Sequence, residues 1–307
     1  MRVCFMGSMD FAVPILEGLN EKFDVVLVVT QPDKPVGRKQ VLTPTKVKQK
    51  AMELNLKLFQ PVNIRLDYEE ITSLELDFII VAAYGQMIPD IVLEHARHQA
   101  INVHASLLPK YRGGSPMHRA IQYGDKESGV TVMFMAKQMD SGDILSQSSV
   151  AITLDDNVAS LERKLSIVGR DLLMETLEKI DHIIPQKQDI SKVTFAYNIQ
   201  PKEEKVSFDM SALEVYNHVR AFNPWPLTYC VIDDKKIKLY NVEYIDVNMH
   251  KPPGEIVRMD KQGVFIQTQD GLVLLKKIQL QGKTVMDISD FMNGVGKTLF
   301  TEGKVFE

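Results

Sequence analysis

The segment Val3-Cys4-Phe5-Met6-Gly7-Ser8 decides the fold, because it is an apolar run that ends in a tight turn. Such a run is typical of a buried strand that leads into a helix. Phe11 and Ile15 then follow at helical spacing behind Asp10, which we expect to cap that helix. A second apolar run, residues 25–29, predicts a parallel strand that is covered on both faces. Strand, helix and strand in this order predict an α/β domain with a doubly wound, Rossmann-like, mostly parallel sheet.

The apolar pattern continues this domain along the chain. Strands are predicted at 78–83, 101–104, 130–135 and 144–152, and helices at 64–74, 90–97 and 158–180. The turn after the first strand lacks the pattern G-x-G-x-x-G, so a dehydrogenase with a dinucleotide cofactor is not predicted.

A smaller domain is predicted after the α/β domain. The composition changes between residues 185 and 206, and residues 201–205 are charged. Beyond a helix predicted at 213–222, short strands separated by turn residues indicate hairpins and a small, OB-like β-barrel. We therefore expect a catalytic domain at 1–189, a linker at 190–206 and a C-terminal β-barrel domain at 207–307.

The composition excludes several classes of protein. The 307 residues carry a formal net charge of −4 at pH 7, so an RNA partner would have to meet a local basic patch. Cys4 and Cys230 have neither metal-site nor disulfide spacing. The chain shows no signal-peptide pattern, and no apolar run approaches the ~20 residues that span a bilayer. We expect a cytoplasmic protein with no membrane segment and no metal.

One long loop is unusual in composition. Residues 31–48, the basic loop, hold three prolines, one glycine and five basic residues, whereas a strand-to-helix loop usually takes about 2–6 residues. Either this is an ordinary mobile surface loop, or its basic side chains meet a ligand at the carboxyl edge of the sheet, where α/β folds bind ligands. We favour the second interpretation.

The chemistry of the chain centres on residues 101–116. Side chains at i and i+2 of a strand share a face, so Asn102 and His104 are predicted to point together. An amide can donate a hydrogen bond to an oxyanion, and an imidazole can hold or donate a proton. Asp140, or alternatively Asp143, is a candidate for the carboxylate that orients the imidazole.

No nucleophile accompanies these groups. Ser106 lacks the G-x-S-x-G elbow, so the set fits direct transfer of an acyl group to an incoming amine. Taken alone, the residues leave other interpretations open. His104 could be a hydrogen-bonded structural residue, Asp140 could cap a turn, and Arg112 could be a solvated loop charge.

Longer motifs connect the chain to a known family. The motifs Asn102-x-His104, Ser106-Leu107-Leu108-Pro109-x-Tyr111-Arg112-Gly113 and Met139-Asp140-Ser141-Gly142-Asp143 resemble the 10-formyltetrahydrofolate-dependent formyltransferases. Segments 30–38, 59–61, 81–85 and 220–226 extend the resemblance over essentially the whole chain. They are similar to those members that formylate the methionine on initiator methionyl-tRNA. The resemblance implies formyl transfer from 10-formyltetrahydrofolate to that amine.

The same resemblance implies roles for individual residues. Asn102 and protonated His104 would stabilise the tetrahedral oxyanion, and Asp140 would orient His104. The folate would lie against Tyr84, Gly85, Gln86, Met87 and Ile88 and against Ser106, Leu107, Leu108 and Pro109. The methionyl-tRNA would meet Phe11, Arg38 and Lys39, supported by Lys34, Lys46 and Lys48, then Lys202, and then Lys235, Lys236, Lys238, Lys276 and Lys277 in the barrel.

Two other functions remain open at this point. One is a formyl-folate enzyme that acts on a sugar nucleotide or another small amine. The other, from a different class, is a non-catalytic folate- or RNA-binding protein, although such a protein has no need of all three catalytic groups. The basic loop and the motif Asn223-Pro224-Trp225-Pro226 favour tRNA as the acceptor, and we expect the protein to be a monomer.

Overall fold

The computed structural model describes residues 1–37 and 39–307, and their contacts define two compact units. Unit 1 holds Met1–Pro116, Glu127–Ala151 and Glu162–Tyr197, and unit 2 holds Met117–Lys126, Ile152–Leu161 and Asn198–Glu307. The division into a catalytic domain at 1–189, a linker at 190–206 and a C-terminal domain at 207–307 stays a prediction.

Unit 1 is built on a seven-stranded sheet. The first nine strands are β1 (Arg2–Gly7), β2 (Asp24–Val29), β3 (Lys34–Val36), β4 (Val41–Thr43), β5 (Leu58–Phe59), β6 (Phe78–Ala82), β7 (Ala100–His104), β8 (Glu127–Phe134) and β9 (Ile144–Ala151). The order in the sheet is β5-β2-β1-β6-β7-β8-β9, with β3 and β4 outside it. Pairing is parallel from β5 to β7 and antiparallel from β7 to β9, which confirms the predicted α/β class.

Among the described residues, six helices lie between or after these strands along the chain, and their segments within 117–126 and 152–161 belong to unit 2. They are α1 (Val13–Lys22), α2 (Lys46–Glu53), α3 (Glu69–Thr72), α4 (Asp90–Leu93), α5 (Pro116–Gln122) and α6 (Val158–Glu178). Asp10 does not cap α1, because residues 10–12 form a separate 3₁₀ turn and neither this turn nor α1 has a side-chain cap. The predicted α1 residues Phe11 and Ile15 are nevertheless buried.

Two predicted helices are much shorter in the structure. The expected helix 64–74 is reduced to α3, because the side-chain and backbone carbonyl oxygens of Asn63 accept the backbone N–H groups of Arg65 and Leu66 and turn the chain there. The expected helix 90–97 is reduced to α4, because the N–H groups of Arg97 and His98 donate to the carbonyls of Leu76 and Asp77 and not to carbonyls of the helix. Apolar spacing alone did not reveal these competing partners.

The basic loop contains more regular structure than the sequence predicted. β3 and β4 form an antiparallel hairpin with exposed side chains, and the loop ends inside α2. Its base is fixed by the ion pair between Lys48 and Asp33 at 2.7 Å and by the Thr45 hydroxyl, which caps α2. Arg38 lies outside the described residues, while Lys39 is exposed.

Unit 2 contains the predicted β-barrel. Its elements are α7 (Ala212–Ala221), β10 (Thr228–Ile232), β11 (Lys235–Ile245), β12 (Ile256–Asp260), β13 (Gly263–Gln267), β14 (Leu272–Leu280), β15 (Met286–Asp287), α8 (Ile288–Asn293) and α9 (Gly296–Leu299). The sheet order is β10-β11-β14-β13-β12, with β15 beside β14. The last residues of the chain connect the two edges of this sheet. The N–H of Phe306 donates to the Gly254 carbonyl beside β12, and the N–H of Glu307 donates to the Val231 carbonyl of β10.

Apolar packing explains why these strands curl around one centre. Alternate residues of β11 and β14 are fully buried and pack with α7, in a core that includes Val215, Ile237, Leu239, Val273 and Leu275. α7 is held at its start by a capping box between Ser211 and Glu214. None of the helices in residues 1–37 and 39–307 has the length and apolar character needed to cross a bilayer.

Candidate active site

β7 carries the two central side chains of the candidate site. Asn102 and His104 are two positions apart on this strand and are both buried, with 9% and 7% exposure. Alternation directs Ile101 and Val103 to the opposite face of the sheet. There a Cβ on Gly169 of α6 would come within 3.2 Å of the Val103 side chain, so helix and strand are in close contact.

His104 lies between two acceptors. Its Nε2 is 3.0 Å from the carbonyl oxygen of Tyr111, and its Nδ1 is 3.8 Å from Oδ1 of Asp140. Because a carbonyl only accepts, Nε2 carries the proton in the first contact. The second distance is that of an ion pair and exceeds a normal hydrogen bond. A ring protonated on both nitrogens would thus direct one N–H towards each acceptor.

Asp140 is held by the loop that faces it. Its Oδ2 accepts the backbone N–H of Gly113 at 2.8 Å, which leaves Oδ1 for His104. Asp140 has a φ of 51°, a left-handed conformation that Asp tolerates better than most residues. Two residues later Gly142 is required, because a Cβ there would lie 1.8 Å from the carbonyl oxygen of Phe134. Of the two candidate carboxylates, the structure brings Asp140 to His104 and does not bring Asp143 there.

The buried side-chain amide of Gln188 holds the Asp140 loop in place. Nε2 of Gln188 donates to the carbonyls of Asp140 and Gly142 at 2.9 and 2.8 Å. Its Oε1 accepts from Nε and Nη2 of Arg112 at 3.0 and 2.7 Å, which sets the orientation of the amide. Arg112 is only 6% exposed, so it is neither a solvated charge nor a surface clamp. No spacing in the sequence pointed to Gln188.

Asn102 is the open donor of the site. None of the described residues hydrogen-bonds to its side-chain amide, although the residue is buried. Its amide atoms are not among the fully buried polar atoms that lack a partner, so the amide remains accessible to a ligand. The arrangement can therefore supply an N–H donor from Asn102, a proton-carrying ring from His104 and a carboxylate from Asp140, all at the carboxyl end of β7.

The loop after β7 is rigidly supported. The Ser106 hydroxyl donates to the Lys110 carbonyl at 2.7 Å. The Thr131 hydroxyl of β8 donates to the Ser106 carbonyl and accepts the Leu108 N–H at 3.1 Å. Gln147 of β9 donates to the Leu108 carbonyl at 2.8 Å. Thr131 and Gln147 were not singled out from the sequence, because they act from neighbouring strands far along the chain.

The second predicted folate segment, 84–88, follows β6. Some of its side chains take part in the protein's own packing and hydrogen bonds, and the others are exposed. Tyr84 is 3% exposed and packs in the core, and Ile88 is also buried. The Gln86 side chain accepts the Ile64 N–H at 2.9 Å and donates to Pro61, so it holds the chain rather than facing solvent. Gly85, with a φ of 86°, is exposed and Met87 is 56% exposed, which leaves backbone and an apolar side chain accessible.

The residues that the sequence predicts to contact methionyl-tRNA differ in burial: Phe11 is buried, whereas the lysines are exposed or partly buried. Phe11 is 3% exposed and lies in unit 1, where its N–H donates to Glu162 at 3.2 Å. Burial, with a smaller effect of the nearby Asp10 charge, raises the pKa of Glu162. Lys34, Lys39, Lys46, Lys202, Lys235 and Lys277 are exposed, whereas Lys48, Lys236, Lys238 and Lys276 are partly buried.

Two family models match the chain. The model described as formyl transferase matches residues 1–177, and the one described as formyl transferase, C-terminal domain, matches residues 198–296. HypX from Aquifex aeolicus, solved in complex with tetrahydrofolic acid, superposes with a TM-score of 0.67 at 17% identity. That match covers 100% of this chain and 50% of HypX, so this chain spans about half of that protein, and the likeness concerns the fold alone. Fold and matched models together define a formyl transferase.

Closer relatives narrow the class. Methionyl-tRNA formyltransferase from Macrococcus caseolyticus is 45% identical over 304 residues, which cover 97% of each chain. The protein of the same name from Listeria welshimeri is 44% identical over 303 residues, again 97% of each chain. The chain belongs to the methionyl-tRNA formyltransferase family, a family of formyl-transferring enzymes.

Proposed function

We propose that this protein transfers the formyl group of 10-formyltetrahydrofolate to the amino group of methionine on initiator methionyl-tRNA. The observation that carries the proposal is the 44–45% identity to methionyl-tRNA formyltransferases over 97% of both chains. The juxtaposition of His104 and Asp140 beside the open amide of Asn102 supports it independently, because direct acyl transfer to an amine needs a donor and a proton carrier but no nucleophilic side chain.

In the proposed mechanism each group has one task. When bound, 10-formyltetrahydrofolate supplies the formyl carbon, whose bond to N10 breaks as its bond to the methionine nitrogen forms, while one amine proton ends on N10. The Asn102 amide donates to the oxygen that becomes negative, and His104 carries the amine proton through Nδ1, because its Nε2 N–H is held by the Tyr111 carbonyl. Asp140, anchored by the Gly113 N–H, holds the His104 ring in orientation.

The folate is proposed to lie on segments 84–88 and 106–109. Both present backbone rather than charged side chains, since the side chains of Gln86 and Ser106 are already hydrogen-bonded within the protein. Exposed Met87 offers an apolar surface to a flat ring. These features fit a heteroaromatic ligand that is read through backbone groups and apolar contact.

The acceptor is proposed to be held by the basic loop and by lysines of the barrel. Arg38 and Lys39 would contact the acceptor end, and Lys202 the adjacent backbone. In the barrel, Lys236 and Lys238 line a surface cavity of about 250 Å³ with Gln279 and Gln281. Phe11 is proposed to lie beside the methionyl side chain. One chain carries every group that the reaction needs, so we propose a monomer that works in the cytoplasm, where charged tRNA is used.

The direct test is incubation of the protein with 10-formyltetrahydrofolate and charged initiator methionyl-tRNA. Free methionine and an amino-sugar nucleotide serve as alternative acceptors under the same conditions. We expect formyl transfer to methionyl-tRNA alone, measured as formylmethionine released after deacylation. Transfer only to the sugar nucleotide would overturn the proposal in favour of the other substrate class, and binding of folate and tRNA without transfer would overturn the enzymatic assignment.

A further inference from the structure

Two exposed aromatic rings stack on each other at the end of unit 1. The rings of Phe195 and Tyr197 are 5.5 Å apart between centroids and only 6° from parallel, and they are 46% and 64% exposed. They are two positions apart in an extended segment, so they share a face, while Ala196 between them is fully buried. The segment lies between the two stretches that the family models match.

Backbone hydrogen bonds tie this segment to the candidate active site. Arg112 N–H donates to the Thr194 carbonyl at 2.9 Å, and Ala196 N–H donates to the Arg112 carbonyl at 2.8 Å. The contact is so close that a Cβ on Gly113 would lie 2.6 Å from the Ala196 carbonyl oxygen. Gly113 is also the residue whose N–H binds Asp140. The aromatic pair is therefore fixed to the same loop that holds the catalytic carboxylate.

Neither ring is explained by the contacts of the catalytic residues. The contacts that hold His104 and Asp140 come from Tyr111, Gly113 and Gln188. Exposed aromatic faces beside a site are the surfaces on which unpaired nucleobases stack, and such stacking does not depend on base identity. Lys110 in the same loop is exposed, and its Nζ lies 4.7 Å from the centre of the Tyr111 ring.

We propose that Phe195 and Tyr197 form a stacking platform for the unpaired bases at the 3′ end of the acceptor RNA. The proposal rests on the proposed function. In that reaction the methionine is esterified to the last ribose of an unpaired strand, so the terminal nucleotides have to pass close to Asp140 and His104. A platform hydrogen-bonded to Arg112, next to Gly113, would hold the bases and so deliver the amine to the catalytic groups.

The test is a cycle that combines protein variants with RNA trimming. Binding of intact initiator tRNA, and of the same tRNA without its unpaired 3′ nucleotides, is measured for the wild type and for the double variant Phe195→Leu/Tyr197→Leu. The wild type should lose about 10-fold in affinity on trimming, in the range of alanine substitutions at stacking positions. The double variant should bind intact tRNA about 10-fold more weakly and lose little more on trimming.

Matched variants separate stacking from other effects. The ring-retaining double variant Phe195→Tyr/Tyr197→Phe should behave like the wild type, and Ile190→Ala should too, because Ile190 is an exposed apolar residue without a ring. Retained binding of tetrahydrofolate by the double variant shows that the catalytic loop is intact. In steady state the double variant should raise KM for methionyl-tRNA more than it lowers kcat.

The outcomes distinguish this inference from the function on which it rests. If the wild type formylates no tRNA, the proposed function fails whatever the binding cycle shows. If the wild type formylates methionyl-tRNA but the double variant loses as much affinity on trimming as the wild type does, the platform is overturned. Equal weakening of intact and trimmed tRNA in the variant also overturns it, because the rings would then act elsewhere on the RNA or on folding.

Discussion

Two of the three catalytic candidates follow from strand geometry alone. Asn102 and His104 share a face because they are two positions apart on β7, and in the structure both residues are buried. Asp140 could not be paired with His104 in this way, because its position depends on a left-handed φ and on the Gly113 N–H. Their catalytic roles remain a proposal, which makes single substitutions the most informative tests at this scale.

Replacing Asn102 by alanine should lower kcat by ~10²–10³, the usual cost of removing one oxyanion donor. The fold should survive, because none of the described residues hydrogen-bonds to the Asn102 amide and so no partner is left unpaired. The measurement is single-turnover formylation together with thermal unfolding. Asn20→Ala on α1 is the matched control and should leave kcat unchanged. An Asn102→Ala enzyme with near-normal kcat would remove the amide from the mechanism.

Between secondary-structure elements, the Asp140 loop depends on Gln188. Gln188→Leu removes the donor to two carbonyls and the acceptor of buried Arg112, so the free energy of unfolding should fall by about 1–3 kcal/mol. Asp140 should also become mobile, which lowers kcat even where the variant is fully folded.

Gln188→Glu separates the two effects. A carboxylate still accepts from Arg112 but repels the Asp140 and Gly142 carbonyls instead of donating to them, so kcat should fall even in the folded fraction, where the Arg112 contact is kept. Gln49→Leu on the exposed surface of α2 should change neither quantity. Wild-type turnover by Gln188→Glu would mean that the amide does not position Asp140.

The helix α5 carries a histidine whose stability effect depends on pH. Both ring nitrogens of His118 are buried and make no hydrogen bond of normal geometry among the described residues, and burial, partly offset by the nearby Trp225 backbone, lowers its pKa. The histidine has a pKa of ~6.5 in the unfolded chain. Below this pH the unfolded chain binds a proton that the buried ring of the folded chain does not bind, so the free energy of unfolding decreases. Above that pH the contribution of this group is constant.

His118→Leu should therefore raise the free energy of unfolding by about 1 kcal/mol at pH 7 and flatten its decline towards pH 5. Some decline should remain, because burial lowers the pKa of His218 as well. The measurement is denaturant unfolding at several pH values, with exposed His182→Leu as the control. Equal pH dependence in His118→Leu and wild type would show that this ring does not titrate in the transition.

The same elements show how far a sequence predicts such a structure. The strands β1, β6 and β7 and the helix α6 were predicted because continuous apolar runs and helical spacing are local signals. The prediction of a helix over the whole of 64–74 was wrong, because the side-chain oxygen of Asn63 accepts the backbone N–H of Arg65. Gln188 and the chain-end closure of the barrel were missed for a related reason, since both depend on contacts between segments far apart in the sequence.

For the molecule as a whole, a net charge of −4 means that an RNA footprint must consist of segregated basic patches. In the barrel, alternation along β11 puts Lys236 and Lys238 on its outer face, while Lys235 has the parity of buried Ile237. Lys236 lies 3.4 Å from the centre of the Tyr229 ring and 3.9 Å from Glu204. Lys236 and Lys238 therefore share the outer face, exposed Lys235 lies at the start of the strand, and the three-lysine patch stays a prediction.

The salt dependence of tRNA binding tests this pair. The double variant Lys236→Ala/Lys238→Ala should flatten the slope of log affinity against log salt by ~0.9 or less for each phosphate that the variant no longer neutralises, because fewer counterions are released on binding. Affinities for initiator tRNA would be measured between low and physiological salt. Lys251→Ala/Lys261→Ala changes the net charge equally and removes two exposed lysines outside the cavity, so it controls for the overall field. Equal slopes in the two double variants would exclude Lys236 and Lys238 from the phosphate contacts and assign their effect to net charge alone.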